Sequence, residues 1–360
     1  MSRDAPQVPD NRAVWAAEDT APAEIDEALR HLLQQEHARD GAHTPARVLN
    51  LVVVLDREWR GEIMNRLEQV GRYHASRTIV CAVEEGRDTI DANVALTLAG
   101  EHDADQPTLM RELVLLDVGE KHLAKLDTIV DPLVVSDLPT VAWAPHGHPE
   151  AVDALLNIAQ VVLIDSVNEP DAASALSRAK ELAEQAYVVD LAWLRTTPWR
   201  ERVAATFDPA RWRGELARID SVTVRHRTDS GVAGVLFCGW LASRLGWGAG
   251  SLVAGGDAVR GQAKANRHDV SLLLQREEGQ HVPGLAGIEI GTSSGMSISL
   301  DRGPGGLLAR RRDPKGQQQS WTVLGASRGE GGILGEGIRQ ALLRDPAYRR
   351  ALDCGEALLR

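Results

Sequence analysis

A two-domain α/β protein is the architecture this sequence predicts: an N-terminal three-layer α/β domain with a largely parallel sheet, followed by an α+β domain with an antiparallel meander and C-terminal helices. Three observations lead there. Apolar, β-branched runs alternate with helix-length segments through the first half of the chain, the grammar of a sheet covered on both faces. After residue 268 short strands follow one another across Gly-containing turns, the grammar of a meander. The length of 360 residues, with 43% hydrophobic and 25% charged residues, supplies two cores more readily than one. The divisions expected are an N-terminal arm and helix over 1–44, the α/β domain over 45–168, a connecting helix and Trp/Arg-rich segment over 169–230, and the α+β domain over 231–360.

The elements follow in order. After a polar lead, Ala23 to His37 is an amphipathic helix, and Arg47 to Leu55 is a buried strand by its continuous run of branched residues. A helix from Trp59 to Gly71 comes next. Ser76 to Val83, Asn93 to Ala99 and Leu109 to Asp117 read as strands, and Glu120 to Val130 as a helix. A short strand at Thr140 to Trp143, a helix over Pro149 to Ala159 and a strand at Val161 to Asp165 close the first domain. Asp171 to Ala186 is helical, Ser221 to Arg227 a strand, and Gly231 to Leu245 a buried helix. Five strands then form the meander: Asp269 to Gln275, Leu285 to Gly291, Met296 to Asp301, Leu307 to Arg312 and Ser320 to Leu324. Gly303-Pro304-Gly305-Gly306 is the clearest hairpin connection. Helices at Gly335 to Leu343 and Pro346 to Leu358 are expected to cover one face of that sheet.

Composition narrows the function. A formal charge of −11 with no basic stripe argues against a nucleic-acid partner, which would require phosphate counterions to be released over a long footprint. Thirty-five of the 40 basic residues are Arg, so each single Arg carries less information than usual. Met1 to Asn11 lacks the apolar core of a secretory signal, and no later run is long enough to span a bilayer, which points to a cytoplasmic protein with no membrane partner. Cys81, Cys238 and Cys354 are widely spaced and form no C-x-x-C pair, as suits buried thiols in a reducing compartment.

The candidate catalytic motifs fail on their own terms. Gly325-Ala326-Ser327-Arg328-Gly329 matches a nucleophile elbow, but that family places its His downstream of the Ser and the last His here is His281. His146 and His148 lack a third metal ligand and read as an exposed turn between Pro145 and Pro149. The first strand-to-helix turn runs Leu55-Asp56-Arg57-Glu58-Trp59, with no glycine fingerprint for a dinucleotide, and none of the five Lys sits in a P-loop context. No cofactor is implied. The Gly-rich approach to Gly335 and the hydroxyls of Thr292, Ser293 and Ser294 could hold a sugar phosphate, although both patterns are ordinary turn chemistry.

The most informative stretch is Asp190 to Phe207, which gathers Trp193, Trp199, Arg195, Arg200 and Arg202 around a helix start. Trp and Arg dominate binding energy at protein interfaces, and the chain carries nine Trp against two Phe and three Tyr. Thr197 is placed to cap the helix, with Pro198 in its first turn. On a 3.6-residue period Trp199, Val203 and Phe207 share one side, as core residues do, while Arg200 and Arg202 border it and Glu201 and Ala205 lie opposite. The partner-binding candidates are Arg195, Trp199, Arg200 and Arg202, with Ser76 and Arg77 as further ones. Replacing the three segment arginines with Ala is expected to weaken a complex and leave the melting temperature nearly unchanged.

Thr44 to Leu51, Tyr73 to Cys81, Asp137 to Trp143, Asp190 to Phe207 and Gly239 to Trp247 resemble, in order across most of the chain, the glucose-6-phosphate dehydrogenase assembly protein family, OpcA. The resemblance implies a non-catalytic partner that binds glucose-6-phosphate dehydrogenase and supports its active oligomer, feeding NADPH production in the oxidative pentose phosphate pathway. It implies no catalytic residues. An alternative keeps the fold and makes the protein a sugar-phosphate isomerase or lactonase binding its anion at Arg77, Thr292, Ser293 or Ser294; a sugar phosphate acting as effector belongs with either reading.

Overall fold

Strand-forming runs and amphipathic helices assemble into two units in the computed structural model, which describes residues 12–39, 47–71, 75–99, 109–256, 258–324 and 329–360. One unit comprises Met1–Ile164 with Gln185–Val188, the other Asp165–Glu184 with Val189–Arg360.

The first unit runs β1 (Arg12–Ala17), α1 (Pro22–Arg39), β2 (Leu49–Asp56), α2 (Arg60–Gly71), β3 (Ser76–Val83), β4 (Asp91–Ala99), β5 (Leu109–Val118), α3 (Leu126–Val130), β6 (Thr140–Trp143), α4 (Pro149–Leu155) and β7 (Val161–Ile164). After α5 (Ala172–Ala183) of the second unit, β8 (Tyr187–Asp190) completes an eight-stranded sheet in the order β1-β4-β5-β3-β2-β6-β7-β8. Strands β2, β3, β5, β6 and β7 are parallel, and β4 runs antiparallel to both β5 and β1. The parallel centre is where the branched runs lie: Val52, Val54, Ile79, Cys81, Val114 and Leu116 are fully buried. On α1, Ile25, Leu29 and Leu32 recur at helical spacing and face this core. The Glu24 carboxylate closes the start of that helix, accepting from Thr20 Oγ1 and from the Ala21 N–H at 2.7 and 3.2 Å.

Several boundaries differ from the sequence reading. β1 occupies what reads as a polar lead, because pairing Trp15 with Val94 closes the sheet edge without a long apolar run. The helix expected over 120–130 is a 3-10 turn, Glu120–Lys125, followed by α3, and the helix begun at Pro149 ends at Leu155.

The second unit continues with α6 (Leu191–Arg195), α7 (Thr197–Phe207), α8 (Ala210–Arg213), β9 (Ile219–Arg227), α9 (Gly231–Leu245), β10 (Gly248–Gly255), β11 (Ala258–Lys264), β12 (Asp269–Glu277), β13 (Leu285–Thr292), β14 (Ser297–Gly303), β15 (Gly306–Arg312), β16 (Gln318–Leu324), α10 (Glu330–Leu343) and α11 (Pro346–Leu359). Its sheet has the order β10-β11-β12-β9-β13-β14-β15-β16. Only the β9–β12 pairing is parallel, so the meander is antiparallel on both sides of that one seam. The β14–β15 turn is the expected hairpin, with Gly305 at φ +75, where a side chain would be strained. β10 and β11 escape a pattern search because Gly248, Gly250, Gly255 and Gly261 interrupt any alternation.

Helix α9 is buried almost all round and packs its Gly239 directly on α11. A Cβ at that position would sit 2.2 Å from the Ala351 carbonyl oxygen and 2.7 Å from the Gly355 nitrogen, so the backbones approach as closely as they do only without one.

Candidate partner-binding surface

Asp190 ends β8 and its carboxylate organises the Trp/Arg segment. It accepts from the Ala192 N–H (2.9 Å), capping α6, and from the Ser166 N–H (3.1 Å), Ser166 Oγ (2.7 Å) and Tyr348 Oη (3.1 Å). Burial and the neighbouring Asp165 charge push its pKa up to about 6. Asp165 is held in turn by Arg195, which donates two parallel hydrogen bonds at 2.8 and 2.7 Å.

The remaining residues pack inward as well. The Arg200 guanidinium lies 3.4 Å from the Trp193 ring centroid, and its Nε and Nη2 donate to Thr196 and Thr197 Oγ1, both at 2.9 Å. Burial lowers its pKa to about 10. Trp193 Nε1 donates to Asp345 at 2.8 Å, and Trp199, Val203 and Phe207 form the core stripe that the helical period assigns them. The N-cap of α7 is Thr196, one residue before the expected Thr197, and the Thr196 hydroxyl donates back to the Trp193 carbonyl at 2.7 Å.

The six candidates therefore divide by exposure. Arg195, Trp199, Arg200 and Arg77 are buried, while Arg202 and Ser76 are half-buried. Arg77 donates to Glu112 (2.6 Å) and to the Leu133 carbonyl (2.8 Å), and Arg47 contacts the same carboxylate. Ser76 Oγ lies 3.2 Å from Thr78 Oγ1. Direct contact by Arg195, Arg200 or Arg77 would break these internal interactions. The expectation that replacing Arg195, Arg200 and Arg202 spares the melt therefore conflicts with the structure at Arg195 and Arg200, whose side chains are committed inside the fold. His74 and the Gly325-to-Arg328 part of the elbow motif lie outside the described residues.

The other candidate chemistry is likewise committed internally. Thr292 Oγ1 donates to Glu215 at 3.2 Å and Ser294 Oγ contacts the same carboxylate, while the Ser293 N–H donates to the Arg218 carbonyl at 2.9 Å. The Gly-rich approach to Gly335 is already helical, since α10 begins at Glu330. At the carboxyl ends of β2 and β6, where the order of the parallel sheet reverses and such sheets hold ligands, side chains fill the crevice. His148, at φ +58, lies 2.9 Å from Asp56, and the His146 and Trp59 rings pack at 5.4 Å with their planes tilted by 40°, so the two histidines of this turn are half-buried and not exposed. Among the described residues no group of three or more His, Cys, Asp or Glu is placed to hold a metal ion, and no helix is long and apolar enough to cross a membrane.

One surface has no counterpart in the sequence reading. The helices α7, α9 and α11 pack on the apolar face of the second sheet, and the opposite face carries polar and charged side chains in register, with Val253 and Leu273 at one side. A row runs Val253, Arg260, Leu273, Thr223, Glu289, Ser299, Arg310, Ser320 across all eight strands, none of the eight buried. Beside it, Arg225 lies flat over Gly287, where a Cβ would come within 2.1 Å of its guanidinium, and contacts Asp301 and Glu277 (3.0 Å), with Arg310 on the far side of Asp301 at 3.1 Å. The result is an uncovered platform on which Arg225, Glu277, Asp301 and Arg310 are matched laterally. Its signal in the sequence is the period-2 placement of Ser221, Thr223 and Arg225 against Val222 and Val224, legible only once β9 is known to be central.

Compared with known proteins, the chain matches two domain families in succession. Residues 67–181 match the N-terminal domain, and residues 186–352 the C-terminal domain, of the OpcA family described as a glucose-6-phosphate dehydrogenase subunit. The chain is 27% identical over 172 residues to the "Putative OxPP cycle protein OpcA" of Synechococcus elongatus, covering 47% of this chain and 39% of that one. It is 28% identical over 198 residues to the protein of the same description in Nostoc punctiforme, covering 52% and 41%. The chain thus spans about two fifths of the length of these curated relatives. Among solved structures it is similar to apo scyllo-inositol dehydrogenase of Lactobacillus casei at 10% identity and a TM-score of 0.43, over 88% of this chain and 97% of that one, a likeness that says nothing about activity.

Proposed function

Because the chain belongs to the OpcA family of glucose-6-phosphate dehydrogenase assembly proteins, whose two domain families together match residues 67–181 and 186–352, we propose that it is a non-catalytic partner of that dehydrogenase. It acts in the OxPP cycle by binding the dehydrogenase and favouring its active oligomer. A partner shifts such an equilibrium only by binding the active form more tightly than the inactive one.

The observation that carries the reading is the uncovered face of the second sheet. Seven inter-strand spacings of about 4.8 Å by about seven residues of about 3.4 Å give roughly 800 Å². That is about what each partner contributes to a standard protein–protein interface. The face carries few unpaired charges, its Arg225, Asp301, Glu277 and Arg310 being joined to one another, and Thr223, Ser299 and Ser320 present little rotamer entropy to be lost on docking. In this reading the buried members of the Trp/Arg segment, Arg195, Trp199 and Arg200, and Arg77 in the other unit, support the surfaces they lie beneath, and Arg202 and Ser76 remain available for contact.

The test mixes the purified protein with the dehydrogenase from the same cell and follows mass by light scattering together with the activity curve against glucose 6-phosphate. Complex formation with a changed activity curve is expected, and Glu289→Arg, in the middle of the platform, is expected to weaken association at least tenfold while shifting stability by no more than ~0.5 kcal/mol. Absence of any complex, or turnover of a phosphosugar by the protein alone, overturns the functional reading. A complex untouched by both Glu289→Arg and Arg310→Glu moves the contact elsewhere, and a dimer of the protein alone that these substitutions dissolve gives the face to a second copy.

A further inference from the structure

Arginine outnumbers its counter-ions in one cavity of the second unit. The space, about 290 Å³, lies among α7, α10 and the ends of β14 and β16, with four arginines, Arg195, Arg202, Arg302 and Arg339, and two glutamates, Glu201 and Glu336, in its walls. Arg195 is matched by Asp165 and Arg339 by Glu336. Arg202 and Arg302 have no acidic partner among the described residues. The Arg202 Nε is buried and makes no hydrogen bond there. Arg302 spends its Nε and Nη2 on one carbonyl, Leu285, at 3.1 and 2.9 Å, and its guanidinium sits 5.8 Å from the Trp199 ring centroid. Burial of Arg302 disfavours its charge, and among the described residues no carboxylate pairs with it.

Arg202 and Arg302 set against the one further carboxylate of Glu201 leave the recess with an excess of positive charge, which an anion entering it offsets. The other walls specify what kind of anion. Thr197 Oγ1 accepts from Arg200 at 2.9 Å, which leaves its own hydrogen to donate. Val282, Pro283 and Val323 offer apolar surface beside the cations, so the cavity suits a molecule with an anionic end and a compact body. Its volume is at the lower limit for small-molecule sites. We propose that this cavity binds a phosphorylated metabolite of hexose-phosphate size, with Arg202, Arg302 and Thr197 on the phosphate and Val282 and Pro283 against the body.

The site is a property of the isolated protein, so its test is separate from that of partner docking. Calorimetric titration of the purified protein with glucose 6-phosphate, glucose and orthophosphate is expected to give saturable binding of glucose 6-phosphate, at least tenfold weaker binding of orthophosphate, and none of glucose. Arg302→Gln and Arg202→Gln are each expected to weaken glucose 6-phosphate binding at least tenfold, consistent with loss of a charge-assisted pair. Because Arg302 also anchors Leu285, Arg202→Gln with an unchanged melting curve is the deciding variant. The proposal is overturned by an absence of saturation up to on the order of 10 mM. Equal affinity for orthophosphate, affinity unaltered by Arg202→Gln in the folded protein, or displacement of nothing but an acidic segment of the dehydrogenase overturns it equally.

Discussion

Arg195→Ala separates a frame residue from a contact residue. The guanidinium is 6% exposed, Asp165 is 15% exposed, and the two are joined by hydrogen bonds of 2.8 and 2.7 Å. Truncation leaves the Asp165 carboxylate beside the wholly buried Asp190 with its counter-ion gone. Breaking a buried pair from one side costs about 3–5 kcal/mol. The residual access of water to Asp165 favours the lower end, about 3 kcal/mol. For a folding unit of this size that lowers the melting temperature by about 6–12 °C. The assay is calorimetric unfolding of wild type, Arg195→Ala, Asp165→Asn and the double variant at pH 7. The double variant is expected to be more stable than the sum of the single losses predicts, since removing Asp165 removes the stranded charge. A drop of less than about 2 °C for Arg195→Ala, or additivity in the cycle, refutes the assignment and returns Arg195 to the surface.

Two further outcomes follow from the same unit. Gly239→Ala places a Cβ 2.2 Å from the Ala351 carbonyl oxygen, which only movement of α11 can relieve, so it is expected to destabilise by about 2 kcal/mol or more despite the better helix propensity of Ala. Gly61→Ala, on α2 with open space around it, is the control and should be neutral or stabilising in the same denaturant titration. The raised pKa of Asp190 sets a pH dependence: the fold favours the protonated acid, so this contribution is fully present below about pH 4 and is lost as pH rises through about 6. Comparing wild type with Asp190→Asn between pH 4 and pH 7, the variant should gain in relative stability by up to about 3 kcal/mol, and a flat difference would contradict the assignment.

Much of the fold is legible in the sequence because burial on both faces writes itself as long apolar runs. β3, β6 and α9 have the limits the pattern gives, and the change from parallel to antiparallel grammar is visible in the chain. β1, β8, β10 and β11 are not, since their strand character comes from their neighbours: Trp15 pairs with Val94, and the Gly-rich β10 and β11 pair with each other through close backbone approach. The Trp/Arg segment is conspicuous for a reason opposite to the one composition suggests. Trp and Arg mark interfaces, but they also mark interiors in which a guanidinium can lie on an indole and find a carboxylate, as Arg200 and Arg195 do. Which of the two applies depends on Asp165, 30 residues before Arg195, and no local pattern reports that distance. The platform on the second sheet is hidden because small polar residues in alternation have no compositional signature.

The margins of that second sheet have a consequence for behaviour in concentrated solution. β10 closes one margin with an irregularity between Gly248 and Ser251, and β16 closes the other with Gln318, Gln319, Ser320 and Thr322. A kinked, glycine-broken border offers no even ladder for a stray strand to join, and the polar half of β16 gains little by being covered. A wide uncovered β-surface is thereby kept from polymerising through its kinked border.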